Sequence, residues 1–181
     1  MAIENFEKHL QEYTSLGFIC TPLVGKVPIL KKWNQFSHVP DYRVFKNHNI
    51  GILTGKSSGI TILDIDYKED GMKIWKAISS LYPKINTPIV ITPNKGLHIY
   101  FKYNKKLEST TRLKLNGKRI GWDILNDGRQ AVAPPSSDIS NNKKYRWVLR
   151  PTRDNIDHMP KWIEDYIMLL HSDNKNHISS I

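Results

Sequence analysis

The chain has 181 residues, 27 basic and 17 acidic, and its formal charge of +10 favours a polyanionic partner, nucleic acid before acidic membrane. With 39% hydrophobic and 24% charged residues it can bury a sizeable core, which excludes a disordered tail. No apolar run reaches the roughly 18–20 residues that span a bilayer, and the single Cys20 excludes an internal disulfide and fits a reducing compartment.

The start, MAIENFEKHLQEY, is acidic and amphipathic and lacks the apolar segment of a secretion signal. Ile3, Phe6, Leu10, Tyr13 and Leu16 recur at helical spacing, and Gly17 predicts the stop. Phe18–Thr21 reads as a short buried strand ended by Pro22. A looser stretch follows, with Lys26, Pro28, Lys31, Lys32 and Trp33. Two extended runs, Asn49–Leu53 and Ile60–Asp66, flank a glycine-bounded turn, Gly55–Gly59, read as a hairpin turn. Gly71–Tyr82 reads as a helix with Met72, Trp75, Ile78 and Leu81 on one face, ended by Pro83. Strands are expected at Ile89–Thr92, Leu97–Lys102, Ile120–Leu125, Gln130–Ala133 and Tyr145–Leu149. A last helix carries Trp162, Ile163, Tyr166, Ile167 and Leu170 after Pro160. This order predicts an α+β domain over residues 1–170, with 171–181 a polar, frayed tail or the start of a linker.

GILTGKSSG imitates a phosphate-binding P-loop, but Gly51 and Gly55 enclose only Ile52, Leu53 and Thr54, one residue too few. A P-loop must also open a helix, and Lys56-Ser57-Ser58-Gly59 runs into the strand ITILDID instead.

Alternation puts Ile60, Ile62, Asp64 and Asp66 on one face of their strand and Thr61, Leu63 and Ile65 on the other. Two neighbouring carboxylates at the end of a core strand repel unless a cation or hydrogen-bond donors offset them. A divalent metal does so, and hard oxygen ligands favour magnesium or manganese; two solvated aspartates at a strand end are the plainer alternative. In Leu97–Phe101, His98 and Tyr100 oppose Leu97, Ile99 and Phe101. His98 follows the Thr92-Pro93-Asn94-Lys95-Gly96 turn, whose polar and permissive residues suit an approach to phosphate. Asp123 lies mid-strand, opposite the face of Ile120, Trp122 and Ile124, where burial without a partner is costly.

None of these elements is specific alone, but their order is. Asp64-x-Asp66, then Gly96-x-His98, then Asp123 in a strand, then AVAPPS, resembles the archaeo-eukaryotic primase superfamily. More narrowly it resembles the primase/polymerase (PrimPol) domain at the N-terminus of plasmid and viral replication proteins. The resemblance runs from Gly17 to Trp147 and takes in the Lys-x-Pro and Trp of Pro22–Trp33, TPNKGLHIYF and GWDILNDGRQAVAPPS. It implies a small α/β unit packed beside an RRM-like sheet, with the active site between them. It implies catalytic roles for Asp64, Asp66, Asp123 and His98, the three aspartates binding two Mg2+ or Mn2+ ions and His98 touching the phosphates of the incoming nucleotide. Two positions depart from the pattern: Gly96 stands where many relatives have Ser, and Leu125 where they often have Arg.

The implied chemistry is template-dependent nucleotidyl transfer, by a DNA primase and/or DNA polymerase replicating a virus or plasmid. Lys95, Lys56 and Arg129 join His98 as candidates for binding the triphosphate. Lys26, Lys31, Lys32, Arg112, Lys114, Lys118 and Arg119 are candidates for a template track. Trp33 and Tyr100 either stack bases or pack in the core. Implied partners are a single-stranded DNA template, nucleoside triphosphates and a helicase domain or subunit, with no membrane. The expected location is cytoplasmic: the host cytoplasm, or the replication site if viral.

Two other classes compete. A metal-dependent nuclease or rolling-circle initiator needs two histidines flanking one hydrophobic residue, and positions 96 and 100 around His98 are glycine and tyrosine. A non-catalytic single-stranded nucleic-acid-binding module accounts for the charge but leaves three aspartates, which repel phosphate, unexplained.

Overall fold

The strands divide between two antiparallel sheets. The computed structural model describes residues 2–111 and 113–176, with side chains described for residues 6–111 and 113–172. In chain order the elements are α1 (Ala2–Ser15), β1 (Cys20–Val24), β2 (Val27–Pro28), β3 (Asn49–Leu53), β4 (Ile60–Ile65), α2 (Gly71–Ser79) and β5 (Ile89–Ile91). There follow β6 (Leu97–Lys102), β7 (Lys114–Leu115), β8 (Lys118–Arg119), β9 (Trp122–Leu125), β10 (Gln130–Ala133), β11 (Arg146–Leu149) and α3 (Lys161–Asn176). Short 3-10 turns occupy Trp33–Gln35 and Tyr42–Phe45. The fold is α+β, as expected.

The small sheet has the order β10-β3-β1-β2 and the large sheet β11-β5-β6-β4-β9. In the large sheet β4 and β5 each pair antiparallel with β6, which therefore lies between the two strands that α2 connects. Period-2 alternation gives the large sheet two different faces. Leu63, Ile65, Ile99, Phe101, Trp122 and Ile124 pack against α2 and α3 through Trp75, Ile163, Ile167 and Leu170. Ile60, Ile62, Val90 and Tyr100 pack the other way, against α1 and the small sheet through Leu10, Tyr13, Cys20, Ile50, Ile52 and Ala131.

Several elements differ from expectation. Pro22 does not end β1 but lies inside it, opposite Ile50. Its nitrogen faces the side of the two-residue β2, where no donor is missed, and its carbonyl still accepts from Ile29 N at 3.2 Å. Gly55–Gly59 is no hairpin within a sheet: β3 and β4 belong to different sheets, joined only by a bridge between Gly55 and Ile60. The second helix stops at Ser79, which leaves Leu81 77% exposed rather than on the buried face. The polar segment after residue 170 is helical to Asn176, and Thr110 Oγ1 lies 3.3 Å from His171 Nε2; residues 177–181, the rest of the expected tail, lie outside the described residues. The β7–β8 hairpin was unexpected, though its Asn116-Gly117 turn, with φ of +51° and +75°, is a type I′ signature.

Candidate active site

Strand register assembles the site. Asp64 in β4 stands directly opposite His98 in β6 and opposite Asp123 in β9, so three polar residues line up across three strands on one face. Two residues back along β4, Ile62 stands opposite Tyr100 and Leu125, within the core between the sheets. The polar row therefore begins where that apolar packing ends. Asp66 follows immediately and is exposed, its N–H donating to the Gly121 carbonyl at 2.8 Å. His98 Nε2 is 3.6 Å from Asp64 Oδ1, with side-chain exposures of 7% and 27%.

The electrostatics are those of crowded like charges. Desolvation, then Asp66, then Asp123, push the Asp64 carboxyl up to about 7, and Lys26 partly opposes them. Among the described residues no Lys or Arg lies within 4 Å of Asp64 or Asp66. Burial, then the charge of Lys26, lower His98 to about 4, so the ring is neutral at pH 7. The Val132 carbonyl weakly favours the charged ring, yet Nδ1 makes no hydrogen bond of good geometry. The Tyr145 ring lies 5.8 Å from that of His98, and burial, Asp138, Asp64 and Asp66 all hold its hydroxyl protonated.

Close packing explains why position 96 is glycine. A Cβ there would lie 2.4 Å from the Ile65 carbonyl and 3.1 Å from Thr92 Oγ1, so serine has no room beside the carboxylate strand. The turn is tied by Lys95 N–H to Thr92 O and Gly96 N–H to Thr92 Oγ1, both at 3.0 Å. Lys95 takes φ +65° and holds its ammonium 5.9 Å from the Tyr67 ring, adjoining Asp66 in sequence. At the other departure Leu125 packs in the core between the sheets. Trp122, beside Asp123, anchors β9 by donating from Nε1 to the Gly71 carbonyl at 3.0 Å.

The structure does not bring every candidate to this row. Lys56 precedes β4 and Arg129 follows β9, so both lie at the far ends of strands whose other ends carry Asp64 and Asp123. Lys118 pairs with Asp70 at 3.2 Å and Arg119 with Glu69 at 2.8 Å, so neither offers a free charge to a template. Lys31, Lys32 and Lys114 are exposed, and Trp33 is half-buried in its 3-10 turn. Arg112 lies outside the described residues. Tyr100 is fully buried with its ring 5.0 Å from Trp147, a core residue and not a base-stacking one. Among the described residues no group of three or more His, Cys, Asp or Glu is arranged, as it stands, to hold a metal ion. Tyr145 and the approach of Lys26 to the aspartates were not anticipated. Only the Val24-Gly25-Lys26-Val27 turn pattern carried a signal for the second.

A family model described as bifunctional DNA primase/polymerase, N-terminal, matches residues 10–162. No curated protein matches the chain. Among the described residues no helix is long and apolar enough to cross a membrane. The matched segment contains all eleven strands and the whole row from Asp64 to His98 and Asp123. The chain therefore belongs to the bifunctional DNA primase/polymerase N-terminal family, enzymes of the nucleotidyltransferase kind that use a DNA template and nucleotides.

Proposed function

We propose that the chain catalyses template-dependent nucleotidyl transfer by a two-metal mechanism, as the primase and/or polymerase domain of a viral or plasmid replication protein. The observation that carries this reading is the register that sets Asp64 between His98 and Asp123 on the face toward the small sheet. The strand order β9-β4-β6-β5, with α2 crossing over, corresponds to an RRM-like sheet, and the small sheet with α1 to the unit beside it.

The donor chemistry fits a divalent cation. Asp64, Asp66 and Asp123 are hard oxygen donors, and the first two have no Lys or Arg within 4 Å. The carboxylates would have to rotate to converge on an ion, because as they stand no three close on one point. Mg2+ or Mn2+ held there would activate the 3′-hydroxyl and neutralise the triphosphate. Asp64 would act ionised, since a nearby cation lowers a carboxyl raised by desolvation and by its neighbours. His98 offers a phosphate oxygen a neutral N–H, worth about 0.5–1.5 kcal/mol, rather than the stronger contact of an imidazolium. Lys95, at the turn before His98, is placed to meet the same phosphates from the solvent side.

One gel tests the proposal: single-stranded template and labelled nucleotides with Mg2+ or Mn2+, with and without primer. Incorporation should depend on the metal and stop in chelator, and the unprimed lane separates priming from extension. Incorporation unchanged in excess chelator would overturn the two-metal mechanism. No incorporation under any of these conditions would overturn nucleotidyl transfer.

A further inference from the structure

The row of aspartates has a cation facing it from the other sheet. The β1–β2 hairpin turns at Gly25 and Lys26, and its tip is clamped twice. Asn49 Nδ2 donates to the Gly25 carbonyl at 2.9 Å, and Gln130 Nε2 donates to the Lys26 carbonyl at 2.9 Å. The same Asn49 amide also reaches the Ser137 carbonyl at 2.7 Å, tying the tip to the segment after β10. Gly25 takes φ +61°, and a Cβ there would press on Ile139 at 3.3 Å. Hairpin tips are ordinarily the mobile part of a sheet. Two side-chain amides here fix the backbone from which one lysine projects.

That lysine is uncommitted. Arg43, Lys106, Lys118, Arg119, Arg150 and Lys161 each pair with a carboxylate. Lys26 is exposed and, among the described residues, pairs with none. Its charge nevertheless acts on both Asp64 and His98. A cation that influences both from the opposite sheet without pairing to either faces the space where they meet. A nucleoside triphosphate brings about four negative charges to three carboxylates, more than two divalent ions balance.

We infer that Lys26 anchors the polyphosphate of the incoming nucleoside triphosphate, gripping it from the small sheet while the large sheet supplies the carboxylates. This rests on the nucleotidyl-transfer reading of the site. It separates Lys26 from a template track, where a lysine would meet DNA backbone phosphates.

The test is calorimetric titration of a non-hydrolysable deoxynucleoside triphosphate, with Mg2+, into wild type, Lys26→Ala and Lys26→Arg, with the corresponding monophosphate as control. Lys26→Ala should weaken triphosphate binding about tenfold or more, and Lys26→Arg should retain most of it. Monophosphate affinity, single-stranded DNA affinity and melting temperature should stay near wild type, because the side chain is exposed and unpaired. Equal triphosphate affinity in wild type and Lys26→Ala would overturn the inference. So would a loss of DNA affinity with triphosphate binding intact, which would make Lys26 a template residue. Binding is read without turnover, so the two proposals can fail separately. If wild type incorporates nothing yet Lys26→Ala selectively loses triphosphate, nucleotidyl transfer fails and the anchor stands. A wild type that binds no triphosphate overturns both.

Discussion

The two ends of β4 are built on opposite principles. At the Ile60 end polar groups are matched one to one. The fully buried Asn126 accepts from Thr61 Oγ1 at 3.1 Å and donates to the carbonyls of Asn104 at 3.0 Å and Leu107 at 2.5 Å. Asp127 accepts from Lys56 N–H at 2.8 Å and from the Tyr103 hydroxyl at 2.9 Å. At the Asp64 end, carboxylates crowd one another, His98 Nδ1 lacks a partner, and Lys26 faces the row unpaired. Buried polar groups are satisfied where their work is structural. Unsatisfied groups and raised carboxyls mark where a ligand completes the arrangement. The glycine-bounded GKSSG turn, which imitates a phosphate loop, belongs to the satisfied end.

Substitutions at the two ends should therefore fail differently. The largest effect is expected from Asp64→Asn, which should cut nucleotide incorporation on the order of a hundredfold to a thousandfold while leaving single-stranded DNA affinity undiminished. Without metal the same variant should melt higher than wild type at pH 8. The folded carboxyl, near 7, lies above its unfolded value of 3.8, so ionising Asp64 costs stability progressively as pH rises between those values. The gain should vanish near pH 4, where Asp64 is protonated in both proteins. Thermal melts across that range check the sign, and a variant less stable than wild type at pH 8 would assign Asp64 a structural role.

Asn126→Ala should show the reverse pattern. Losing three buried hydrogen bonds should cost about 3 kcal/mol and lower the melting temperature by about 6–12 °C. Incorporation per folded molecule should stay normal, measured well below the new transition. A smaller effect still is expected at Lys56, whose backbone is held by Asp127 and whose side chain is exposed. Lys56→Ala should change stability by less than about 0.5 kcal/mol and leave the nucleotide KM within about twofold of wild type. A marked rise in that KM would bring the GKSSG turn back into the site and break the contrast between the two ends.

Much of the chemistry was legible in local pattern. Alternation alone put Asp64, His98 and Asp123 on faces opposite to Leu63, Leu97 and Trp122, and the structure agrees at each. The boundaries of β3, β6 and β10 matched the apolar runs, because those strands are buried and bounded by turn residues. The reading went astray where neighbours outvote local preference. Pro22 sits in a strand because the strand on its nitrogen side is only two residues long. Position 96 is glycine because the backbone of another strand passes within contact distance.

By itself the sequence determined which residues face together along each strand, and the order of acidic and histidine positions that marks the family. Both are local properties: side chains alternate with a period of two whatever the partner strand is. Only the tertiary structure decided that Asp64 stands between His98 and Asp123, because register depends on pairing between segments up to about 60 residues apart in sequence. It alone decided that β3 and β4, separated by one short turn, enter different sheets. It also placed Lys26, nearly forty residues before Asp64, across from the aspartates. Electrostatic coupling depends on distance through space, which the spacing of residues along a chain does not encode.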